Sequence, residues 1–158
     1  MAGKNTPVSG RKVVCRNKRA FRDYFIQDRL EAGMILLGSE VKSLRDGRAS
    51  LSDSYAEVRN TELFLVNSHI SEYPQASYFN HDPLRERKLL LHQHEIHRLG
   101  VKLNERGFTL IPLELYFVRG KAKVELGLAK GKRQYDKRNA VKQRDIDRDM
   151  QTESSRRR

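Results

Sequence analysis

The most regular alternation of apolar and polar positions lies between Phe108 and Lys130. Thr109, Ile111, Leu113, Leu115 and Phe117 recur with period two, as do Ala122, Val124, Leu126 and Leu128, so each set belongs on one side of a strand. Arg119-Gly120 sits between the two runs and supplies the hairpin turn. Earlier in the chain, Ser54 to Arg59 and Glu62 to Ile70 read as two strands joined at Asn60-Thr61. Val13 to Cys15 reads as a short strand, and Phe25 to Leu37 as a long one with a bend or bulge at Ala32-Gly33. Asn17 can cap a helix from about Lys18 to Tyr24, and a single helical turn around Val41 to Arg45 closes at Asp46-Gly47. Residues 71–88 are loop-like until the apolar run Leu89 to Leu91. From about Gln93 to Arg106 the period changes to that of a helix, with Ile96, Leu99 and Leu103 on one face and Gly107 as its stop.

About six interrupted strands with three small helices predict a mainly β fold, a closed barrel over a sandwich, with an oligonucleotide-binding-like barrel fitting best. The barrel is expected over 13–130, behind a flexible basic arm over 1–12. After Lys130 the composition changes. Of residues 131–158 only Tyr135, Ala140, Val141, Ile146 and Met150 are apolar, which predicts a basic tail that is disordered when free. Drawn as a helix, the tail places Tyr135, Asn139, Lys142, Ile146 and Met150 on one stripe with Lys137, Arg144 and Arg148 beside it, the pattern of a segment that becomes helical on docking.

Charge sharpens this picture. The formal net charge is +12, and it sits at the two ends. Residues 1–20 carry six Lys/Arg and no acid, and residues 119–158 carry fourteen basic and six acidic groups, whereas 21–118 carry twelve basic and fourteen acidic ones. Such a footprint attracts a polyanion, RNA or DNA before a membrane surface. No apolar stretch approaches the length of a membrane span and no signal-peptide pattern is present, so a soluble cytoplasmic protein is expected. A lone cysteine, Cys15, leaves no intramolecular disulfide and no Cys-based zinc site. It reads as a small strand residue, although Arg16, Lys18 and Arg19 nearby favour a thiolate.

Candidate chemistry is sparse. His92-x-His94-x-x-His97 is the one catalytic-looking cluster, and three imidazoles holding zinc would make a metal-dependent ribonuclease. Two of them fall on the predicted helix and one before it, with no H-E-x-x-H spacing, so exposed or phosphate-facing histidines are expected instead. There is no Walker loop, no G-x-G-x-x-G and no G-x-S-x-G. A binding protein is expected rather than an enzyme, with no cofactor and no metal. Ala129-Lys130-Gly131-Lys132-Arg133-Gln134-Tyr135-Asp136-Lys137-Arg138 says more. Its cations neutralise phosphates, Gly131 permits close backbone approach, and the Tyr135 ring can stack on a base. Glu31 and Glu40 suit either acceptance from a base edge or ribose hydroxyl, or an ordinary exposed carboxylate at a strand or first helical turn.

Six segments together carry a resemblance: EAG (31–33), GSEVKSLR (38–45), Asp53-Ser54-Tyr55, NHDPLRERKLLLH (80–92), the P-L-x-L-Y-F of Pro112 to Phe117, and GKRQYDKR (131–138). In that order they resemble the small protein B family, the bacterial tmRNA-binding partner of trans-translation, from about Val13 to Arg138. The resemblance implies an oligonucleotide-binding-like barrel that binds the tRNA-like domain of tmRNA, supports its alanylation and its delivery with elongation factor Tu, and enters stalled ribosomes. It implies a tmRNA face including Asn17, Lys18, Arg19, Glu31, Leu90 and His92. It also implies a ribosome-binding tail including Lys132, Arg133, Tyr135, Asp136, Lys137, Arg138, Lys142 and Arg144, helical in the empty messenger channel with Tyr135 in the decoding centre. A monomer is expected. Two rivals remain, a structural ribosome-associated protein that binds ribosomal RNA without tmRNA and a metal-dependent ribonuclease using the histidine cluster.

Overall fold

The computed structural model describes residues 10–105, 107–132 and 134–156, with backbone alone at 77, 134–141 and 154–156. The chain runs β1 (Arg11–Arg16), α1 (Lys18–Asp23), β2 (Tyr24–Met34), α2 (Gly38–Arg45), β3 (Ala49–Ser50), β4 (Tyr55–Arg59), β5 (Glu62–Val66), β6 (His69–Ile70), a 3-10 helix (Pro74–Phe79), β7 (Arg87–Leu90), α3 (Gln93–Leu103), β8 (Phe108–Val118), β9 (Lys121–Gly131) and α4 (Gln134–Arg156). The closed barrel expected from the interrupted strands takes the form of a ring of six antiparallel strands. The order β8-β4-β5-β7-β2-β9 returns to β8 through the β8–β9 hairpin, and β1 adds to β8 beyond β4.

Closure depends on irregularities that alternation alone does not place. The bulge expected at Ala32-Gly33 lies instead at Gln27, where the β2–β9 register shifts between Ile26 and Asp28. A second shift, between Pro112 and Glu114, makes Leu113 the extra residue of β8. It breaks the single-faced row expected from Thr109 to Phe117. Leu110, Leu115 and Phe117 pack inside the ring with Leu63, Leu65, Leu89, Val124 and Leu126. Ile111 and Leu113 point outward and join a smaller cluster with Ala20 of α1 and Ala129. Where that cluster crosses β9 the residue is Gly127, whose Cβ would stand 3.0 Å from Leu113 Cδ1 and 3.2 Å from Ile26 Cγ2.

Other boundaries also move. The strand expected over Glu62 to Ile70 is split by Asn67, which turns the chain at φ 60°. Residues Gly38 to Glu40 extend the expected turn into α2 because the Glu40 side chain reaches back to the Leu37 N–H at 2.9 Å. β2 accordingly ends at Met34, short of Leu37. Within 71–88, expected as loop, lie a 3-10 helix and the start of β7. The Asn60-Thr61 and Arg119-Gly120 turns both hold two successive residues at positive φ, the tight hairpin geometry expected at those sites. α2 and α3 apply Leu44, Leu99 and Leu103 to the inner cluster. The tail backbone is helical over Gln134–Arg156, roughly 34 Å at 1.5 Å per residue.

A buried ionic network fixes the loop before β7. Glu40 and Arg87 are both 0% exposed, with Nε 2.5 Å from Oε2, and Arg85 donates to Oε1 at 2.6 Å. Arg87 also donates to the Ser68 and Pro83 carbonyls. Beside it, buried His81 bonds Ser39 Oγ through Nδ1 at 2.8 Å and the Ile70 carbonyl through Nε2 at 2.9 Å. A carbonyl can only accept, so Nε2 carries a proton and donates it there.

Candidate nucleic-acid interface

The registers bring the outward side chains of five strands into two rows. One runs Val13, Tyr116, Lys123, Gly33 and Leu90 across β1, β8, β9, β2 and β7. The next holds Arg16, Glu114, Glu125 and Glu31 on the same face. The structure therefore gathers Glu31 and Leu90, which stand far apart in sequence, on one outer face, while His92 follows the end of β7 as the N-cap residue of α3.

Glu31 is exposed yet held. Tyr116 donates its hydroxyl to Oε2, and Lys123 Nζ donates to Oε1 at 2.8 Å. Partial burial alone would push the carboxyl up. The hydrogen bonds from Lys123 and Tyr116 and the charges of Lys123 and Arg11 outweigh it, so the group lies below the usual carboxylate range. Burial pushes the Tyr116 phenol well above its ordinary value, with the Glu31 hydrogen bond adding to it, so the phenol stays a donor. Arg11 covers the Tyr116 ring at 3.6 Å and pairs with Glu114 at 2.5 Å. The outcome is a carboxylate with both oxygens anchored and lone pairs left for donors from outside. Leu90, 51% exposed, lies over Gly33, its Cβ 3.5 Å from where a Cβ there would stand.

Asn17 has another part. It is 4% exposed; its amide donates to Pro112 O at 2.9 Å and Leu51 O at 3.2 Å, and its side-chain oxygen accepts from Ala20 N at 3.3 Å. It caps α1, as expected, and bolts the helix to the ring, with Lys18 and Arg19 exposed in the first turn of that helix. Arg19 lies 3.5 Å from Asp53. Glu40, for which a base-edge role was open, is wholly buried against Arg87 and has no access to RNA. Cys15 packs on the inner cluster, and burial, then the Glu114 charge, push its thiol up to about 11, overriding the nearby cations. His92, His94 and His97 are exposed, and the first two rings stack 5.6 Å apart. Among the described residues no three His, Cys, Asp or Glu side chains converge on a point that would hold a metal ion.

At the start of the tail, Lys132 is tied to α1. Its N–H donates to Asp23 O at 2.9 Å, its Nζ to Phe21 O at 3.1 Å, and the ammonium sits 4.9 Å from the Phe25 ring centre. Arg133 lies outside the described residues, as do the side chains of Tyr135, Asp136, Lys137 and Arg138. Lys142 and Arg144 are exposed on α4, and Ile146 and Met150 show an apolar edge one turn apart. Tyr116 and Lys123 are the members of the face that sequence reasoning missed. Their signal was present: the hairpin register pairs them directly.

A strand ring with an anchored carboxylate, an exposed leucine and a basic border, continued by a basic helix, has the make-up of a small RNA-binding β protein. The sequence pattern of the SmpB protein family matches residues 14–156. The SsrA-binding protein of Syntrophobacter fumaroxidans is 56% identical over 157 residues, covering 98% of each chain. That of Geobacter sulfurreducens is 57% identical over 141 residues, 89% of this chain and 92% of the relative. A solved structure described as "tmRNA-SmpB: a journey to the center of the bacterial ribosome" aligns with TM-score 0.66 and 50% identity over 80% of this chain and 93% of that one. The chain belongs to the SmpB family, that of the bacterial SsrA-binding proteins.

Proposed function

We propose that this chain is an RNA-binding factor of trans-translation whose strand ring binds the tRNA-like domain of tmRNA. The observation that carries the reading is the Glu31 carboxylate, exposed but fixed by Tyr116 and Lys123 on the same outer face as Leu90, in a chain so close to SsrA-binding proteins. RNA recognition needs acceptors for base N–H and ribose 2′-OH groups at unpaired positions, an apolar contact, and cations for the backbone. Glu31 is the acceptor, Leu90 the apolar contact, His92 a further polar group, and Lys18 and Arg19 with Arg11 and Arg16 form the cationic border.

Holding the RNA in a fixed shape supports its alanylation and delivery with elongation factor Tu. The tail of the cytoplasmic monomer docks as a helix in the empty messenger channel of a stalled ribosome. There Lys132, Arg133, Lys137, Arg138, Lys142 and Arg144 meet phosphates and Tyr135 stacks in the decoding centre. The protein acts by binding and contributes no catalytic group, because the ribosome supplies peptidyl transfer.

A gel shift of the tRNA-like domain against alanine tRNA at near-physiological salt tests this reading. Selective binding that Glu31→Ala weakens at least about tenfold is expected, the loss of a charged hydrogen bond being about 1.5–3 kcal/mol. Equal binding of both RNAs would leave only a general ribosomal-RNA binder.

A further inference from the structure

Tyr78 and Phe79 are large, adjacent and almost wholly in solvent, 97% and 91% exposed. Single exposed apolar side chains are ordinary, but two neighbouring rings with this exposure are a contact surface awaiting a partner. Neither ring makes a stacking, cation–π or hydrogen-bonded contact among the described residues.

The segment that carries them is braced. Pro74 starts its 3-10 helix. Asn80 closes it, its carboxamide accepting from Tyr73 N at 2.9 Å and donating to Tyr73 O at 2.8 Å. Buried His81 follows at once, bonded to Ser39 and Ile70, and Ser71 N donates to Arg48 O at 3.1 Å on the other side. The rings are thus displayed from a rigid base, and little conformational entropy remains to be lost when they are covered. Consecutive residues of a 3-10 helix point about 120° apart, so the two rings diverge and each offers a separate face.

The charge around the base selects the partner. Lys42 lies 5.6 Å from the Tyr73 ring, Arg45 is one turn further along α2, and the Arg48 carbonyl accepts from Ser71 N; all three are exposed and none makes an ion pair among the described residues. The acids of α2, its cap and the segment between β6 and β7 are Asp46, Glu72 and Asp82, with Glu40 spent on Arg85 and Arg87, which leaves a small cationic excess there.

We propose that Tyr78 and Phe79 form a stacking platform for unpaired RNA bases, with Lys42, Arg45 and Arg48 receiving the adjoining phosphates. Diverging rings suit an extended, unstacked strand and not a duplex, whose base faces are already covered. The inference rests on the RNA-binding reading above but names a separate contact, formed by neither Glu31 nor the tail.

The test uses the full chain with a labelled ten-nucleotide uridine oligoribonucleotide and a ten-base-pair RNA duplex as probes. Tyr78→Ala and Phe79→Ala should each weaken the single strand at least about fivefold, the low end of base–ring stacking, and the duplex less than twofold. Phe79→Trp, and Tyr78→Phe, should retain single-strand binding, and melting temperatures should not move. Unchanged single-strand binding in the double alanine variant overturns the platform, as does an equal loss on the duplex. So does wild-type self-association that the double alanine variant abolishes while RNA binding stays intact, which would mark the rings as a protein contact. Because the oligonucleotide carries no tRNA-like structure, failure here leaves the tRNA-like-domain comparison untouched, and failure of that comparison leaves this test standing.

Discussion

Glu40→Gln removes one charge from the middle of the protein while keeping shape. In the native fold, Glu40 accepts from Arg87, Arg85 and the Leu37 N–H, and both it and Arg87 are cut off from water. The substitution leaves the Arg87 guanidinium buried without its counter-charge, a change that costs about 3–5 kcal/mol. With unfolding entropy of about 2.1 cal/mol/K per residue over a body of about 120 residues, the lower figure corresponds to a Tm drop of about 12 °C. The effect depends on pH. Burial would raise the Glu40 carboxyl, but the Leu37 N–H and the two arginines overcome it and hold it below the usual range. A depressed folded value means that the stabilisation is complete above the unfolded carboxyl value, about 4.3, and fades as pH falls through the folded one. Thermal melts followed by circular dichroism should therefore show the full deficit at pH 7 and a narrowing gap below about pH 4. The double variant Glu40→Leu/Arg87→Met should recover much of the loss, because neither buried charge then remains. A single variant melting within about 2 °C of wild type at pH 7 would refute the claim that this pair secures α2, β7 and the loop between β6 and β7.

Asn17→Ala should lower stability by about 2–3 kcal/mol, since it loses the α1 cap and strips two carbonyls, Leu51 and Pro112, of a donor; a chemical denaturation midpoint reads this, and an unchanged midpoint would make Asn17 an RNA contact instead. Gly127→Ala should cost about 1–3 kcal/mol by overpacking Leu113 and Ile26, again measured by denaturation. Tyr116→Phe should weaken tRNA-like-domain binding severalfold and move the acid limb of a binding-versus-pH profile upward, because Glu31 loses a donor that favours its charged form. Truncation after Lys130 should leave tRNA-like-domain binding mostly intact while abolishing tagging of stalled peptides in a translation assay.

How far the fold could be read in advance varies with the physical cause. The Asn17 cap, the β8–β9 hairpin and the Ile96, Leu99, Leu103 face of α3 depend on neighbouring residues, and they were legible. The bulges at Gln27 and Leu113 depend on which strands meet and on how the ring closes, so alternation along one strand placed the first wrongly and missed the second. Asn67 broke a run that looked continuous because its left-handed backbone is one that asparagine tolerates without a glycine to announce it. For the site, Glu31, Leu90 and His92 rested on resemblance, whereas the convergence of Glu31 and Leu90 is a product of register. Glu40, for which surface chemistry was open in the sequence, is an interior fastening, because the two arginines that hold it lie 45 and 47 residues away in the chain.

The central claim is that the outer face of β8, β9, β2 and β7 meets tmRNA. The measurement that tests it most directly is photo-crosslinking of the tRNA-like domain from a benzophenone side chain at position 90, compared with one at position 57 on β4. A strong crosslink from position 90, lost when unlabelled tRNA-like domain competes and near background from position 57, is the predicted result. A crosslink from position 57 equal to or stronger than that from position 90 would contradict the assignment of the face.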